Sequence, residues 1–270
     1  VPEGPEIRRA ADRLAAAVLD QPLVEVFFAR PELADYQTTL VGRRIVAIET
    51  RGKAMLTRFD NDLVLYSHNQ LYGVWTIART GRRPASKRSL RVALTTARKE
   101  ILLYSASDVS VWRAAELHRQ PLLARLGPDV LDPALAVDAI VARLAAPAFA
   151  GRRLGALLLD QGFLAGMGNY LRSEVLFQAG LAPDRRPRDL DRVDCALLAD
   201  ALLDVPRRSY RSRGIRRTAG MKQDYLTDTP EGFRMQVFGR AGRPCPRCGT
   251  AVQRTAHSGR RVYLCVNCQR

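Results

Sequence analysis

The sequence predicts an α+β multidomain chain: an N-terminal helix leading into a β-sandwich, a helical lobe, and a short ribbon organised by four cysteines. Three observations predict it. Apolar residues recur at helical spacing from Glu6 to Leu19, give way to short β-branched and aromatic runs as far as Ser105, and return to helical spacing after Asp108. Two C-x-x-C pairs lie close to the last residue. At 270 residues, 47% of them hydrophobic, the chain can bury more than one core.

Taken in order, Ile7, Ala10, Ala11, Leu14 and Val18 line one face of the first helix. Strands are expected at Leu23–Ala29, Arg44–Glu49, Ala54–Phe59, Leu63–Ser67, Val74–Ala78, Leu90–Thr95 and Glu100–Ser105. Turn pairs such as Arg51-Gly52, Asp60-Asn61 and Thr80-Gly81 separate them. Helices are expected at Ala114–Leu126, Pro133–Ala146, Arg153–Phe163, Asn169–Gln178 and Asp189–Leu203, with Gly127-Pro128, Gly166-Met167-Gly168 and Gly180 as punctuation. Arg207–Glu231 is arginine-rich and aperiodic and reads as a mobile loop. The expected divisions are 1–108, 109–232 and 233–270.

The formal net charge is +16, and it is uneven. From Val205 to Arg270 fifteen Lys/Arg face only Asp224, Asp228 and Glu231, a net +12 in the last quarter. Such asymmetry points to a polyanion, nucleic acid before anionic membrane. No apolar run reaches the length of a membrane span, and no signal peptide is evident, so a cytoplasmic, nucleoid-associated protein is expected. Five cysteines in such a chain are free thiols or metal ligands.

Cys245-Pro-Arg-Cys248 and Cys265-Val-Asn-Cys268 stand sixteen residues apart, the spacing of a zinc ribbon. Four thiolates close a tetrahedral site and leave no open position, so one structural Zn²⁺ is expected. His257, between the pairs, reads as a loop residue rather than a further ligand, and Cys195 as a buried small hydrophobe. Arg254, Arg260 and Arg261 would ride on the ribbon hairpin, with Arg260 favoured as a phosphate contact.

The opening Val1-Pro2-Glu3-Gly4-Pro5-Glu6 places a proline, a carboxylate and a helix start together. A terminal proline is a secondary amine able to attack a sugar aldehyde as an iminium-forming nucleophile. The plainer reading puts Pro5 at the first helical position and Glu6 at the positive helix end. Asn169 reads as an N-cap after a glycine turn open to an anion. Lys53 beside Gly52 reads as a solvated turn lysine or a proton donor, and Gln70-Leu71-Tyr72 as a hairpin tip or a wedge for the hole left by an extruded base.

These features together resemble the formamidopyrimidine-DNA glycosylase/endonuclease VIII family, in its bacterial endonuclease VIII branch, nearly end to end. The resemblance is carried by Pro2–Asp12, Thr50–Ala54, Leu65–Trp75, Leu102–Asp108, Gly127–Leu131, Gly166–Arg172 and the cysteine ribbon. It implies a helix-two-turns-helix lobe, and double-stranded DNA with damaged bases or abasic sites held by a monomer in a cleft between lobes. It also implies roles: Pro2 as nucleophile, Glu3 as the acid that helps open the deoxyribose, and Lys53 in base release. Asn169 and Arg260 would grip the backbone, and Gln70, Leu71 and Tyr72 would enter the duplex. The implied activity is excision of oxidised pyrimidines through a Pro2 iminium, followed by β,δ-elimination. Removal of oxidised purines is the nearest alternative. A retained Val1 would tie up the Pro2 nitrogen and favour a catalytically dead lesion binder; a valine-type start codon read as methionine, then removed, would expose Pro2.

Overall fold

In the computed structural model the described residues are 2–212, 214–216, 226–227, 231–257 and 259–270. The expectations about Val1 therefore lie outside them. The chain divides into two compact units, one containing Ile7–Ala124, the other Pro2–Glu6 and Arg125–Arg270.

In the first unit, helix α1 (Gly4–Val18) turns Ile7, Ala10, Ala11, Leu14 and Val18 inward, the face its spacing predicts. Eight strands follow: β1 (Leu23–Phe28), β2 (Ile45–Arg51), β3 (Ala54–Phe59), β4 (Leu63–His68), β5 (Val74–Arg79), β6 (Leu90–Thr96), β7 (Lys99–Tyr104) and β8 (Asp108–Arg113). They form two antiparallel sheets, in the orders β1-β6-β7-β5 and β2-β3-β4-β8. Buried residues of α1 and of both sheets, among them Leu14, Phe28, Ile48, Leu65, Leu94 and Leu103, share one core. This is the sandwich that the alternating runs predict.

Three features depart from the sequence reading. A short helix, α2 (Ala34–Leu40), fills the stretch between β1 and β2. After Asp108 the chain adds strand β8, registered on β4 from Leu63↔Arg113 to His68↔Asp108, where helical character is expected. Ala114–Leu126 then makes two 3-10 turns, Ala114–Arg119 and Leu123–Arg125, instead of one helix. Pro121 explains the break, because it has no N–H to give to a continuing helix.

The second unit holds helices α3 (Val137–Ala145), α4 (Pro147–Ala150), α5 (Leu154–Leu157), α6 (Asn169–Ala179) and α7 (Arg192–Arg211) around Leu144, Leu157, Phe163, Leu171, Leu198 and Leu202. The expected helix at Arg153–Phe163 shrinks to α5, since Asp160 takes the Gly162 N–H into a tight turn (2.8 Å). Helix α7 starts on an Asp191 cap, whose side chain accepts the Asp194 N–H at 2.7 Å. It continues through Pro206 to Arg211, past the expected end at Leu203. Burial of Val205 and Pro206 offsets the lost helix bond. Of the expected 207–231 loop, Arg207–Arg211 is thus helical, Ile215–Arg216 pairs in parallel with Leu226–Thr227, and 213, 217–225 and 228–230 lie outside the described residues. A hairpin of Gln253–His257 and Arg260–Leu264 completes the ribbon, packed on α6 through Phe177, Val237, Val252 and Cys265. Among the described residues no helix is long and apolar enough to cross a membrane.

Candidate active site and metal centre

Glu3 is the best-anchored residue of the N-terminal segment. It is 3% exposed, and its carboxylate accepts the Tyr170 N–H at 2.8 Å and the Leu171 N–H at 3.1 Å. Those are the second and third residues of α6, so Glu3 performs from a distance the task of an N-cap side chain. Asn169 does not: Gly168 is the N-cap, and Asn169 is the first helical residue. The glycine is required there, because a Cβ on Gly168 would fall 2.2 Å from Glu3 Cδ. Gly4 is also tightly placed: its N–H donates to Gly166 O at 2.9 Å, and a Cβ on it would meet Gly166 Cα and O at 3.1 Å. Pro2 is buried next to Glu3 in the chain.

Glu6 is more than a complement to the helix dipole. Its carboxylate accepts the Glu3 N–H (2.9 Å), as in a capping box, and the Tyr170 hydroxyl (3.0 Å), which also meets Ser209 Oγ. Helix α1 begins at Gly4, so Pro5 is its second residue rather than its first.

Asn169 and Arg260, expected as backbone grips, are linked through a residue that the sequence reading gave no role. Arg172 is fully buried; its guanidinium donates to Asn169 Oδ1 (2.6 Å), Gly155 O (2.6 Å) and Arg261 O (2.8 Å). Burial brings its pKa down to about 10, with the nearby Glu3 opposing that fall and Arg260 adding to it. Arg260 itself is exposed at the start of the second hairpin strand. One buried cation therefore sets the Asn169 amide and the backbone next to Arg260.

Lys53 and the Gln70–Tyr72 stretch belong to the first unit. Lys53 lies in the tight turn between β2 and β3, where Gly52 has φ +60°. The loop joining β4 to β5 presents the adjacent Leu71 and Tyr72 at 56% and 65% exposure. Its conformation is built. Gln70 adopts φ +50°, its N–H donates to His68 Nδ1 (3.1 Å), and its Oε1 accepts from Ser107 (2.7 Å). Gly73 N–H closes the turn on Asn69 O at 2.7 Å, too close for any Cβ. Burial lowers the His68 pKa; Asp108 opposes this and Lys53 reinforces it.

The four ribbon cysteines converge, with all Sγ atoms within 4.8 Å of one another. Cys248–Cys265 and Cys245–Cys268 are 3.4 and 3.9 Å apart. A tetrahedral ion with bonds of ~2.3 Å places its sulfurs ~3.8 Å apart, so the cluster has metal-binding dimensions. His257 lies on a strand, not in a loop, and faces Asp184 (3.6 Å). Cys195 is half-buried.

Residues 1–107 match the formamidopyrimidine-DNA glycosylase N-terminal domain, and residues 126–219 the H2TH domain of the same glycosylase. Endonuclease 8 of Shigella sonnei (strain Ss046) is 51% identical over 269 residues, covering 100% of each chain, and that of Escherichia coli O9:H4 (strain HS) is equally similar. The solved complex between Lactococcus lactis Fpg and DNA containing an abasic site has the same fold, with TM-score 0.84 over 99% of each chain at 21% identity. The chain belongs to the formamidopyrimidine-DNA glycosylase/endonuclease VIII family.

Proposed function

We infer that this chain is a DNA glycosylase and abasic-site lyase of base excision repair, acting on oxidised pyrimidines through the Pro2 nitrogen. The observation that carries the reading is the clamp on Glu3: two α6 amides hold its carboxylate in a buried site beside Pro2, on the helix that also bears Asn169. Once residue 1 is removed, the Pro2 amine attacks the anomeric carbon and the damaged base departs with the glycosidic electron pair. The proton that the Pro2 nitrogen sheds once bonded to the sugar passes to the Glu3 carboxylate and from it to the ring oxygen, as the sugar opens and the iminium forms. That iminium acidifies the adjacent sugar C–H, so both phosphates can then be eliminated. Lys53 assists base release, and Asn169 and Arg260 take backbone phosphates, which supply position and affinity without sequence preference. Gln70, Leu71 and Tyr72 fill the space of the flipped nucleotide, since extruding a base leaves a gap in the stack whose cost an inserted side chain can offset.

Cys245, Cys248, Cys265 and Cys268 would hold one Zn²⁺, which supplies folding energy to the ribbon and no chemistry. We assign double-stranded damaged DNA as partner to a monomer in the cytoplasm, at the nucleoid. The labour divides among residues 1–108 (base handling), 109–232 (backbone grip) and 233–270 (ribbon). Borohydride trapping on duplexes that differ only in lesion tests the reading. An adduct mapping to Pro2, faster with thymine glycol than with 8-oxoguanine opposite cytosine, is expected. An adduct on a lysine would overturn Pro2, and faster 8-oxoguanine release would move the protein to the purine branch.

A further inference from the structure

Residues 79–100 hold eight lysines and arginines against one acid, Glu100. Sheet topology arranges them. Strands β5 and β6 both pair antiparallel with β7, so they run in the same direction and Thr80–Ser89 must carry the chain back along β7. Val74 and Leu90 both oppose Tyr104, at the end of the sheet where the Leu71–Tyr72 loop enters β5. Arg79 opposes Lys99 at the other end, and Thr80 N–H donates there to Arg98 O (3.2 Å). Thr80–Ser89 is a strap laid lengthwise. Arg83 fixes it over the sheet by bonding Glu100 (2.8 Å) and approaching Glu25 (3.6 Å), next to the small apolar cluster of Ala93, Leu102 and Tyr104.

At its near end the strap is tied to the exposed loop: Arg88 Nη1 donates to Tyr72 O at 2.9 Å. Arg83 uses up the Glu100 charge, which leaves Arg79, Arg82, Lys87 and Arg98 exposed and without an ion pair among the described residues. The two ends are one six-residue strand apart. That is ~20 Å at ~3.3 Å per residue, the rise of about six base pairs at ~3.4 Å each.

We propose that the strap is a second phosphate-contact surface, which binds the backbone of duplex DNA flanking the lesion to about six base pairs from the Leu71–Tyr72 wedge. The proposal rests on the DNA-glycosylase reading. A duplex that receives Leu71 and Tyr72 brings its phosphates to Lys87 first, and a longer flank brings them to Arg79, Arg82 and Arg98. Unpaired cations of this kind bind by releasing counterions, independent of sequence.

The test uses the full chain with Arg79→Ser, Arg82→Ser, Lys87→Ser and Arg98→Ser combined. All four side chains are exposed, and circular dichroism checks that the fold is kept. Affinity is measured against salt on hairpin-closed duplexes bearing a tetrahydrofuran abasic analogue, with flanks of about four or about twelve base pairs. On long flanks the slope of log Kd against log salt is expected to shrink by about 2–3.6 units, at ~0.9 for each phosphate no longer neutralised, and by at most about one unit on short flanks. An unchanged slope on long flanks overturns the proposal, as does an equal loss on both lengths. A parent chain whose binding ignores salt would instead overturn the DNA reading itself.

Discussion

Replacing Glu3 with Gln separates the structural role of this residue from its chemical one. Both carboxylate oxygens are occupied, by the Tyr170 and Leu171 N–H groups. A glutamine keeps the volume but offers one acceptor and one NH₂, so one helix amide meets a donor instead of an acceptor. Leaving a buried N–H unpaired costs ~1–3 kcal/mol. Removing a negative charge from a helix N-terminus costs a further ~0.3–1 kcal/mol. The sum, ~1.3–4 kcal/mol, corresponds to a ~8- to ~700-fold more populated opening of the first α6 turn. Amide hydrogen exchange read by mass spectrometry over residues 169–173 measures it, with borohydride trapping run in parallel. We expect exchange there to rise by that factor and trapping to be lost. Gly168→Ala is the companion variant: it leaves Glu3 unaltered, but its Cβ needs the space of the Glu3 carboxyl, so the same turn should loosen. Wild-type protection in both variants, whatever happens to trapping, would refute the cap and leave Glu3 a purely chemical residue.

Metal analysis should find one zinc per chain, and Cys248→Ala should expose the ribbon to exchange while the sandwich core stays protected; ribbon thiols that titrate freely in the native protein would remove the metal assignment. Acid should weaken the first unit through His68, whose folded pKa lies below 6.5. As pH falls through 6.5 the unfolded chain takes a proton that the folded chain declines, so the stability held above that value is lost on the way down to the folded pKa. His68→Asn should flatten this part of the melting-temperature profile; an acid limb identical to wild type would assign the loss to other groups.

How much of this was legible in the sequence depends on how far each partner lies along the chain. Strand spans fall within two residues of expectation because alternation is local, and the cysteine cluster follows from spacing alone. Strand β8 escaped because Asp108–Arg113 precedes a stretch with helical spacing, and only its pairing with β4 defines it. The sequence singles out Glu3 but not its placement on α6, since its partners lie 167 and 168 residues away. The signal was present in Gly168, which only a close approach requires. Arg172, Ser173 and Glu174 make the same point. Three polar residues in a row on a helix suggest a solvated face, yet all three are buried. Their partners come from 155, 169, 236–238, 261 and 263.

Helix α6 therefore acts as the reference element of the second unit. Its first turn is capped by Glu3, and its first residue, Asn169, is held by Arg172. Its middle receives the ribbon backbone through Arg172 to Arg261 O and through Tyr263 N–H to Ser173 Oγ (3.3 Å). Glu174 accepts three N–H groups from Gln236, Val237 and Phe238, the segment that leads into the ribbon. At its far end Arg247, inside the first cysteine pair, donates to Phe177 O (3.0 Å) and Gln178 O (3.2 Å) and lies over the Phe177 ring at 4.4 Å. Phe177 O also accepts the Gly180 N–H (3.2 Å), and a cation is favoured at a helix C-terminus. Glu3, Asn169 and the cysteine ribbon are thus all indexed to one buried eleven-residue rod. A tilt of that rod moves them together, which gives a physical reason for burying its polar groups: each one fixes a distant segment of the chain at a distance that loop flexibility alone would leave undefined.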